Sequence, residues 1–201
     1  MQVTDPFEKV AGENRSAGSQ PLLHQDGVEI QRFGELRLLP IALGHDARAR
    51  SVQALNQILA DSVILYSLYK KHHWLMRGPT FYQLHLLLDK HAEEQLKLID
   101  LLAERVQTLG GVAVADPRHV AEVTTVPRPP DGAEEVPAML SRLLEAHEII
   151  IAKVRDEITH TTEDRDDGTN DLLVGDVLRT HELQVWFVAE HLVDVHVVRI
   201  S

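Results

Sequence analysis

The stretch between His73 and Glu104 constrains the fold of this chain more than any other. Five side chains of the kinds that bind hard metal ions occur in it: His73, His85, Asp89, Asp100 and Glu104. His85 and Asp89 are four residues apart, and residues at that spacing share one face of a helix. Asp100 and Glu104 have the same spacing. Leucines surround these carboxylates, and burial among leucines is costly unless a carboxylate is paired or metal-bound. The pattern therefore predicts a helix that carries metal ligands.

The five side chains divide into two groups that one ion cannot join. We call His73, His85 and Asp89 the histidine half-site, and Asp100 and Glu104 the acidic half-site. Asp89 and Asp100 are eleven residues apart, which is about 16 Å along a helix axis. The acidic half-site therefore needs ligands from elsewhere. The simplest source is a second copy of the chain, related by a two-fold axis.

A break in the helical pattern allows the histidine half-site to form within one chain. Gly78 and Pro79 interrupt the pattern, and His73 and His85 lie six residues on either side of Pro79. In an antiparallel helical hairpin such positions face each other. Nitrogen and carboxylate ligands together suit iron, manganese or zinc. The alternative is that the histidines are ordinary core or surface residues and that the acids form a solvated helix face.

Composition limits the classes of protein that the sequence allows. With 201 residues and 44% hydrophobic content, the chain is long enough for one domain and an appendage. It has no cysteine, which excludes a disulfide framework. A leader-like N-terminus and an apolar run of membrane-spanning length are both missing, so we expect a cytoplasmic protein without membrane contact. The net charge of −11 favours cations as partners, and nucleic acid would require a local basic segment.

The sequence divides into an N-terminal extension over residues 1–46 and a helical domain over residues 47–201. Gly, Ser, Asn and Glu are frequent in the first twenty residues, which is typical of a mobile tail, whereas apolar alternation over residues 27–43 predicts an extended arm. Apolar periodicity then predicts four helices with a long connection between the second and the third. The helices are expected at about residues 46–77, 80–109, 135–160 and 169–197, and the connection at residues 112–132.

The segments HHWLMRGPTFYQLHLLLD and IDLLAERVQTLGG resemble the Dps family (DNA-binding protein from starved cells), the mini-ferritins. The resemblance extends over roughly residues 50–197. It implies an all-α, ferritin-like four-helix bundle with a long crossover between helices two and three, assembled into a hollow dodecamer. It also implies a ferroxidase centre at a two-fold subunit interface. His73, His85 and Asp89 match the ligands from one subunit, and Asp100 and Glu104 match those from its partner.

The same resemblance implies an enzyme that oxidises Fe(II) with hydrogen peroxide or oxygen, stores the ferric mineral inside its shell and so protects against oxidative stress. Iron is the expected metal, with zinc or manganese as alternatives in the same site. One rival is a nucleoid protein that binds and protects DNA and has secondary iron chemistry. Another is a helical shell whose site holds zinc or is empty. DNA-binding members carry a tail rich in Lys and Arg, whereas the first fifty residues here hold six basic and seven acidic side chains, so we expect weak or absent DNA binding.

Acidic residues cluster where the fourth helix is expected to begin. They are Glu163, Asp164, Asp166, Asp167 and Asp171. Acidic residues are common at a helix N-terminus because they complement the helix dipole. The segment DDGTND also resembles the acid-lined three-fold pore of the family, and rings of carboxylates admit cations. We expect Asp167 and Asp171 to line this pore and to bind entering Fe(II).

Two tryptophans have different expected roles. Trp74 follows His73 directly and is expected to be a core aromatic residue. The resemblance adds that a tryptophan beside the iron site can absorb stray oxidising equivalents. Trp186 is expected to contribute packing only.

The histidines outside the histidine half-site form no closed motif in the sequence. The spacings of His181, Glu190, His191 and Asp194 are compatible with a further metal site. A solvated helix face is the expected alternative for these four residues.

Overall fold

The computed structural model describes residues 27–194, and every regular element in that range is a helix. The helices belong to a unit that begins at Phe33, and residues 27–32 belong to a separate unit and have no helix or strand. The elements are α1 (His45–Leu75), α2 (Phe81–Thr108), α3 (Pro117–Val123), α4 (Val136–Glu163), α5 (Asp167–Leu172), a π-helix (Leu173–Leu178), α6 (Arg179–Ala189) and a 3-10 helix (Glu190–Leu192). The predicted all-α class is confirmed.

Stripes of buried residues at helical spacing explain why these helices form a bundle. On α2 the stripe consists of Leu84, Leu88, His91, Gln95, Leu98 and Leu102. On α4 it consists of Leu140, Leu143, His147, Ile150 and Val154. Helix α1 packs mainly against α2 and α4, and α4 packs against α6 and the π-helix. The four long helical segments therefore enclose one core, as the ferritin-like prediction requires.

The buried face of α1 follows helical spacing. Leu65 and Tyr69 are completely buried, whereas Val63 and Tyr66 are only partly buried at the edge of the core. Since α1 contacts both α2 and α4, its face towards the bundle axis lies between the two contacts. That face carries Tyr69.

Turn residues mark both ends of α2, close to the bounds of 80 and 109 expected from the sequence. Thr80 is the N-cap residue, and Gly110 follows the helix with a φ of +87°, a left-handed conformation that favours glycine. A Cβ atom at Gly110 would lie 2.5 Å from the carbonyl oxygen of Arg37. The backbone N–H of Arg37 donates to the carbonyl of Gly110 at 2.9 Å. The segment before α1 is thus held against the end of α2 by a close backbone contact.

Polar side chains of α1 hold the crossover between α2 and α4. Asn56 donates to the carbonyl of Val112 at 3.0 Å and accepts from the N–H of Val114 at 2.8 Å. Further along, the buried carboxylate of Asp61 accepts from the N–H of Thr125 at 2.6 Å. The predicted long crossover is therefore present, but it includes α3, which its Pro-rich sequence did not predict.

The fourth helix of the bundle is less regular than the single helix expected at residues 169–197. It begins two residues earlier, because Asp166 is the N-cap residue and accepts from the N–H of Thr169. Its second segment is the π-helix, after which α6 carries the chain to the 3-10 helix that ends at Leu192. Residues 195–197 lie outside the described residues. None of the described helices is both long and apolar enough to cross a membrane.

Candidate metal centre

His73 and His85 lie against each other beside the turn between α1 and α2. Their rings stack with centroids 3.7 Å apart and planes inclined by 18°. Nδ1 of His73 donates to the carbonyl oxygen of His85 at 2.8 Å, and Nδ1 of His85 donates to that of His73 at 3.0 Å. The helical hairpin therefore brings together the two residues that the symmetry about Pro79 predicted to face each other.

This reciprocal bonding determines which nitrogen each ring leaves available. A carbonyl oxygen only accepts, so Nδ1 carries the proton in both rings, and Nε2 of a neutral ring keeps its lone pair. A histidine that binds a metal through one nitrogen commonly donates from the other to a carbonyl. The ring of Phe81 stacks on His85 with centroids 4.9 Å apart. Both the proton position and the ring orientation of His85 are thus fixed before any metal binds.

Asp89, the third member of the histidine half-site, is paired with a lysine. Nζ of Lys70 lies 2.5 Å from Oδ1 of Asp89, and Nε2 of His73 lies 4.0 Å from the same oxygen. The hydrogen bond from Lys70 holds the pKa of Asp89 below its ordinary value. The Lys70 ammonium therefore neutralises the carboxylate that a metal ion bound to His73 would need.

The acidic half-site is exposed on α2. Asp100 and Glu104 lie one turn apart on the helix surface, and neither carboxylate has a hydrogen bond or ion pair within residues 27–194. In that range no group of three or more His, Asp or Glu side chains is arranged to hold a metal ion. One chain therefore keeps the two half-sites apart, as their spacing along α2 demands.

The acidic cluster before and within α5 separates into two kinds of carboxylate. Asp164 and Asp166 are each bound to an arginine, and Asp166 is buried beneath the helix end that it caps. Asp167 and Asp171 are exposed, and the described residues provide no ion pair for either. Asp166 therefore caps the N-terminus of the helix, and Asp167 and Asp171 are available for a different role.

Comparisons with known proteins match the fold of this chain. The family model "Ferritin-like domain" matches residues 52–197. The chain is 69% identical to the solved structure of DpsC from Streptomyces coelicolor, with a TM-score of 0.84, and the match covers 86% of this chain and 100% of that one. The chain belongs to the ferritin-like family, as a Dps protein. The resemblance noted in the sequence is confirmed.

Two further relatives extend the comparison of this Dps protein. An uncharacterised protein of Kitasatospora aureofaciens is 70% identical over 141 residues, which are 70% of this chain and 94% of that protein. A protein of Nostoc sp. named "Nutrient stress-induced DNA-binding protein" is 31% identical over 153 residues, which are 76% of this chain and 83% of that protein. Both matches span most of the helical region.

Neither tryptophan of this Dps protein lies in the core of the protomer, although a core position was expected for Trp74. Trp74 is 71% exposed within the chain and Trp186 is 59% exposed, so neither is a core residue of the protomer. Trp74 follows His73 at the last turn of α1, where the helix leaves the core for the Gly78 turn. Nζ of Lys70 lies 5.9 Å from the centre of its ring. Trp74 is therefore beside the histidine half-site and accessible.

A set of buried polar side chains inside the bundle was missed by the sequence analysis. This core network consists of Tyr69, His91, Gln95, His147, His181 and Gln184, each no more than 1% exposed. The hydroxyl of Tyr69 lies 2.6 Å from Nε2 of His147 and 3.3 Å from Nδ1 of His91. Nδ1 of His147 lies 3.0 Å from Nδ1 of His181. The network joins all four segments of the bundle.

Burial sets the charge state of the core network. It lowers the pKa of His147 well below its ordinary value, that of His91 to about 4 and that of His181 to about 3. Burial also raises the pKa of the Tyr69 phenol. At neutral pH the three imidazoles are neutral bases and the phenol keeps its proton.

The position of His181 overturns one interpretation of the sequence. His181 points into the core, whereas Glu190, His191 and Asp194 are exposed near the end of the fourth helix. These four side chains therefore do not form the further metal site with which their spacing is compatible, and His181 does not belong to a solvated helix face either. The signal that could have revealed the network was present: His91 and His147 fall on the apolar stripes of α2 and α4.

Proposed function

We propose that this protein is a ferroxidase and iron store that oxidises Fe(II) with hydrogen peroxide or oxygen. His73, His85 and Asp89 of one subunit and Asp100 and Glu104 of a two-fold partner would bind the iron as substrate. Twelve chains would form a hollow shell that retains the ferric product. The expected benefit to the cell is removal of iron and peroxide together, which limits oxidative damage.

The observation that carries this proposal is the reciprocal bonding of His73 and His85. Each ring donates its Nδ1 proton to the other residue's carbonyl oxygen, so both Nε2 lone pairs are available without any change of tautomer. A pair of histidines that merely filled space would have no reason to adopt matching tautomers. With carboxylates added, the ligand set suits iron, and zinc or manganese would compete for it.

The acidic half-site supports a shared centre. Asp100 and Glu104 are exposed carboxylates without partners in their own described chain, and they lie too far along α2 to reach His85. A two-fold axis between antiparallel copies of α2 would bring them opposite the partner's histidines. Two metal ions held close together in such a centre can share one oxidant.

Two further features fit iron handling. Asp167 and Asp171, which have no partner within residues 27–194, would line a three-fold pore and concentrate Fe(II) at its entrance. Trp74 would intercept oxidising equivalents that escape the centre, and its exposure beside His73 supports that role.

The decisive experiment mixes the iron-free protein with Fe(II) and follows ferric absorbance with peroxide and with oxygen in separate reactions. We expect fast oxidation with at least one oxidant and a ferric product that remains with the protein during gel filtration. Light scattering of the same sample should give about twelve times the chain mass of 22.6 kDa. A fully active monomer would contradict the shared centre.

A second candidate function is DNA binding, which the name of the Nostoc relative suggests. The charge of this chain, −11, opposes it, because DNA affinity comes largely from neutralised phosphates. We therefore propose iron chemistry as the main function and weak or absent DNA binding.

A further inference from the structure

The hydroxyl of Tyr69 occupies an unusual position within the core network. It lies between two imidazole nitrogens, at 2.6 Å from His147 Nε2 and 3.3 Å from His91 Nδ1. The shorter distance is typical of a hydrogen bond donated by a hydroxyl and is short for one donated by an N–H. The phenol therefore donates to His147. A buried phenol needs a hydrogen-bond partner, and the partner of Tyr69 is His147, a base that can also accept the phenolic proton.

The hydrogen bond of Tyr69 continues into a second histidine. Because Nε2 of His147 accepts from the phenol, Nδ1 of the neutral ring carries the proton and faces Nδ1 of His181 at 3.0 Å. A proton that arrives at His147 can therefore be passed on to His181. Both rings are fully buried, so the proton would stay within the core network and remain available for return.

Tyr69 is also close to the proposed iron centre. It precedes His73 by four residues on α1, so the two side chains lie on neighbouring turns of one helix face, about 6 Å apart at their Cβ atoms. The other two tyrosines of the chain differ: Tyr82 is 70% exposed, and no imidazole is hydrogen-bonded to Tyr66 or Tyr82 among the described residues. Only Tyr69 combines burial, a base and this proximity.

We infer that Tyr69 is a redox-active residue that supplies one electron to the iron centre while its phenolic proton moves to His147. This inference rests on the proposed ferroxidase function. It applies when a centre holds a single Fe(II). That ion gives one electron to hydrogen peroxide, whose O–O bond breaks to give hydroxide and a hydroxyl radical. Tyr69 gives the second electron, the radical becomes a second hydroxide, and the phenolic O–H bond breaks.

The charges balance in this step. Fe(II), hydrogen peroxide, the phenol and a neutral imidazole become Fe(III), two hydroxide ions, a neutral tyrosyl radical and an imidazolium. The hydroxide ions are neutralised by solvent, and the imidazolium charge is shared with His181. A later electron from Fe(II) reduces the radical, and the proton returns along the same hydrogen bond. The oxidant is thereby consumed without release of a hydroxyl radical.

The test uses electron paramagnetic resonance after rapid freezing. The assembled protein receives less than one Fe(II) per centre and is mixed with peroxide. We expect a tyrosyl radical in the parent and in the Tyr66→Phe/Tyr82→Phe double variant, in which Tyr69 is the only tyrosine that remains. The signal should be lost in Tyr69→Phe. A radical that persists in Tyr69→Phe, or that disappears in the double variant, would overturn the inference.

Two further measurements test the proton transfer to His147 and the proposed iron oxidation separately. His147→Gln should alter the high-field spectrum of the radical, because the hydrogen bond to its oxygen changes, and an unaltered spectrum would exclude His147 as the proton acceptor. With two Fe(II) per centre, the Tyr66→Phe/Tyr82→Phe double variant should oxidise iron at the parent rate, since neither tyrosine is hydrogen-bonded to an imidazole among the described residues.

A third arm needs no iron. Azide radicals generated by pulse radiolysis oxidise tryptophan in the iron-free protein, and the hole should move to tyrosine in the parent and the double variant but not in Tyr69→Phe. If the parent does not oxidise Fe(II), the ferroxidase proposal fails while this arm still decides whether Tyr69 is redox-active. Absence of the transfer in the parent would overturn the inference by itself.

Discussion

Two pairs of histidines in this protein use their ring nitrogens in opposite ways. His73 and His85 donate from Nδ1 to backbone carbonyls and leave both Nε2 atoms without a protein donor. In the pair His147 and His181 the two Nδ1 atoms face each other in a hydrogen bond, and Nε2 of His147 accepts a hydrogen bond from Tyr69. The first pair is half-buried beside the surface, and the second is fully buried. Histidine thus serves two purposes in this protein. A second ring nitrogen without a hydrogen-bond donor can bind a metal ion, whereas one that is hydrogen-bonded in the core can only exchange a proton.

The comparison also shows what burial costs each pair. Neutral imidazole is stable in the core because the network satisfies its ring nitrogens. The carboxylate of Glu94 accepts from Gln184 at the edge of the network, but no carboxylate of the described residues is hydrogen-bonded to His147 or His181. The first pair has a carboxylate, Asp89, 4.0 Å from His73, and an exposed edge. A metal ion can therefore replace the Lys70 ammonium at the first pair, whereas the second pair can exchange only protons.

The largest expected effect comes from removing ligands of the first pair. The His73→Ala/Asp89→Ala variant should lose fast Fe(II) oxidation by more than about 100-fold, because loss of a mere outer partner of a metal ligand already costs about 10–100-fold. Stopped-flow ferric absorbance measures the rate. The shell should still assemble, since apolar packing holds the helices together.

The matched control for that variant is His147→Gln in the second pair. It should oxidise iron at nearly the parent rate with two Fe(II) per centre, although it will be less stable. Parent-like oxidation in the His73→Ala/Asp89→Ala variant, or loss of oxidation in a folded His147→Gln, would reverse the roles assigned to the two pairs.

The sequence predicts the contact within the first histidine pair but not the contact within the second. The spacing about Pro79 predicts that His73 and His85 meet, because a helical hairpin is a local structure. The core network depends on four segments that are distant in sequence, and no local pattern shows that Tyr69 faces His147. The π-helix was not predicted because a widened turn leaves the spacing of apolar residues almost helical. The sequence does not show which acid of the cluster caps the helix, because the burial of Asp166 beside Arg105 is a tertiary effect.

The next effect is a loss of stability in acid that belongs to the second pair. The folded-state pKa of His181 is about 3 because of burial, and its unfolded value is about 6.5. The unfolded chain therefore takes up the proton first as pH falls. Stability should be constant above about pH 7, decrease below about pH 6.5 and level off only near pH 3. Between pH 7 and pH 5 this histidine should cost about 2 kcal/mol.

Urea midpoints of the iron-free protein at pH 7 and pH 5 measure this loss. His181→Gln should remove about 2 kcal/mol of the difference, whereas His191→Gln, at an exposed position on the same helical segment, should leave it unchanged. Equal pH dependence in the parent and in His181→Gln would mean that His181 is not neutral in the fold.

A smaller effect concerns the route by which iron reaches the first pair. Asp167→Asn and Asp171→Asn together remove charge and keep size. Iron uptake into the shell should slow by about tenfold at low ionic strength, because the acids concentrate cations at the pore. Added salt should reduce the difference between variant and parent.

Single-turnover oxidation at a pre-loaded centre should be unaffected in this pore variant, which separates entry from chemistry. The matched control is Asp116→Asn, an exposed acid that pairs with Arg118 and lies at the start of α3. Unchanged uptake in the pore variant at low salt would assign Asp167 and Asp171 to the helix terminus alone.

The smallest expected effect concerns DNA binding: we expect no gel shift of plasmid DNA near neutral pH at physiological salt. The first fifty residues hold six basic side chains, but the fold already uses two of them. Arg48 is buried and donates to the carbonyls of Arg37 and Leu109, and Arg50 is bound to Asp164 by two hydrogen bonds.

The first fifty residues hold seven acidic side chains against these six basic ones, on a chain of net charge −11. Twelve copies would repel a polyanion, and avidity cannot compensate unless each arm attracts DNA by itself. The measurement compares the parent with a variant that lacks residues 1–46, across a salt series. Binding that survives physiological salt and disappears with the deletion would show that the arm presents its basic groups apart from its acids. It would also make DNA a partner in its own right, because neither histidine pair offers a surface that could explain such binding.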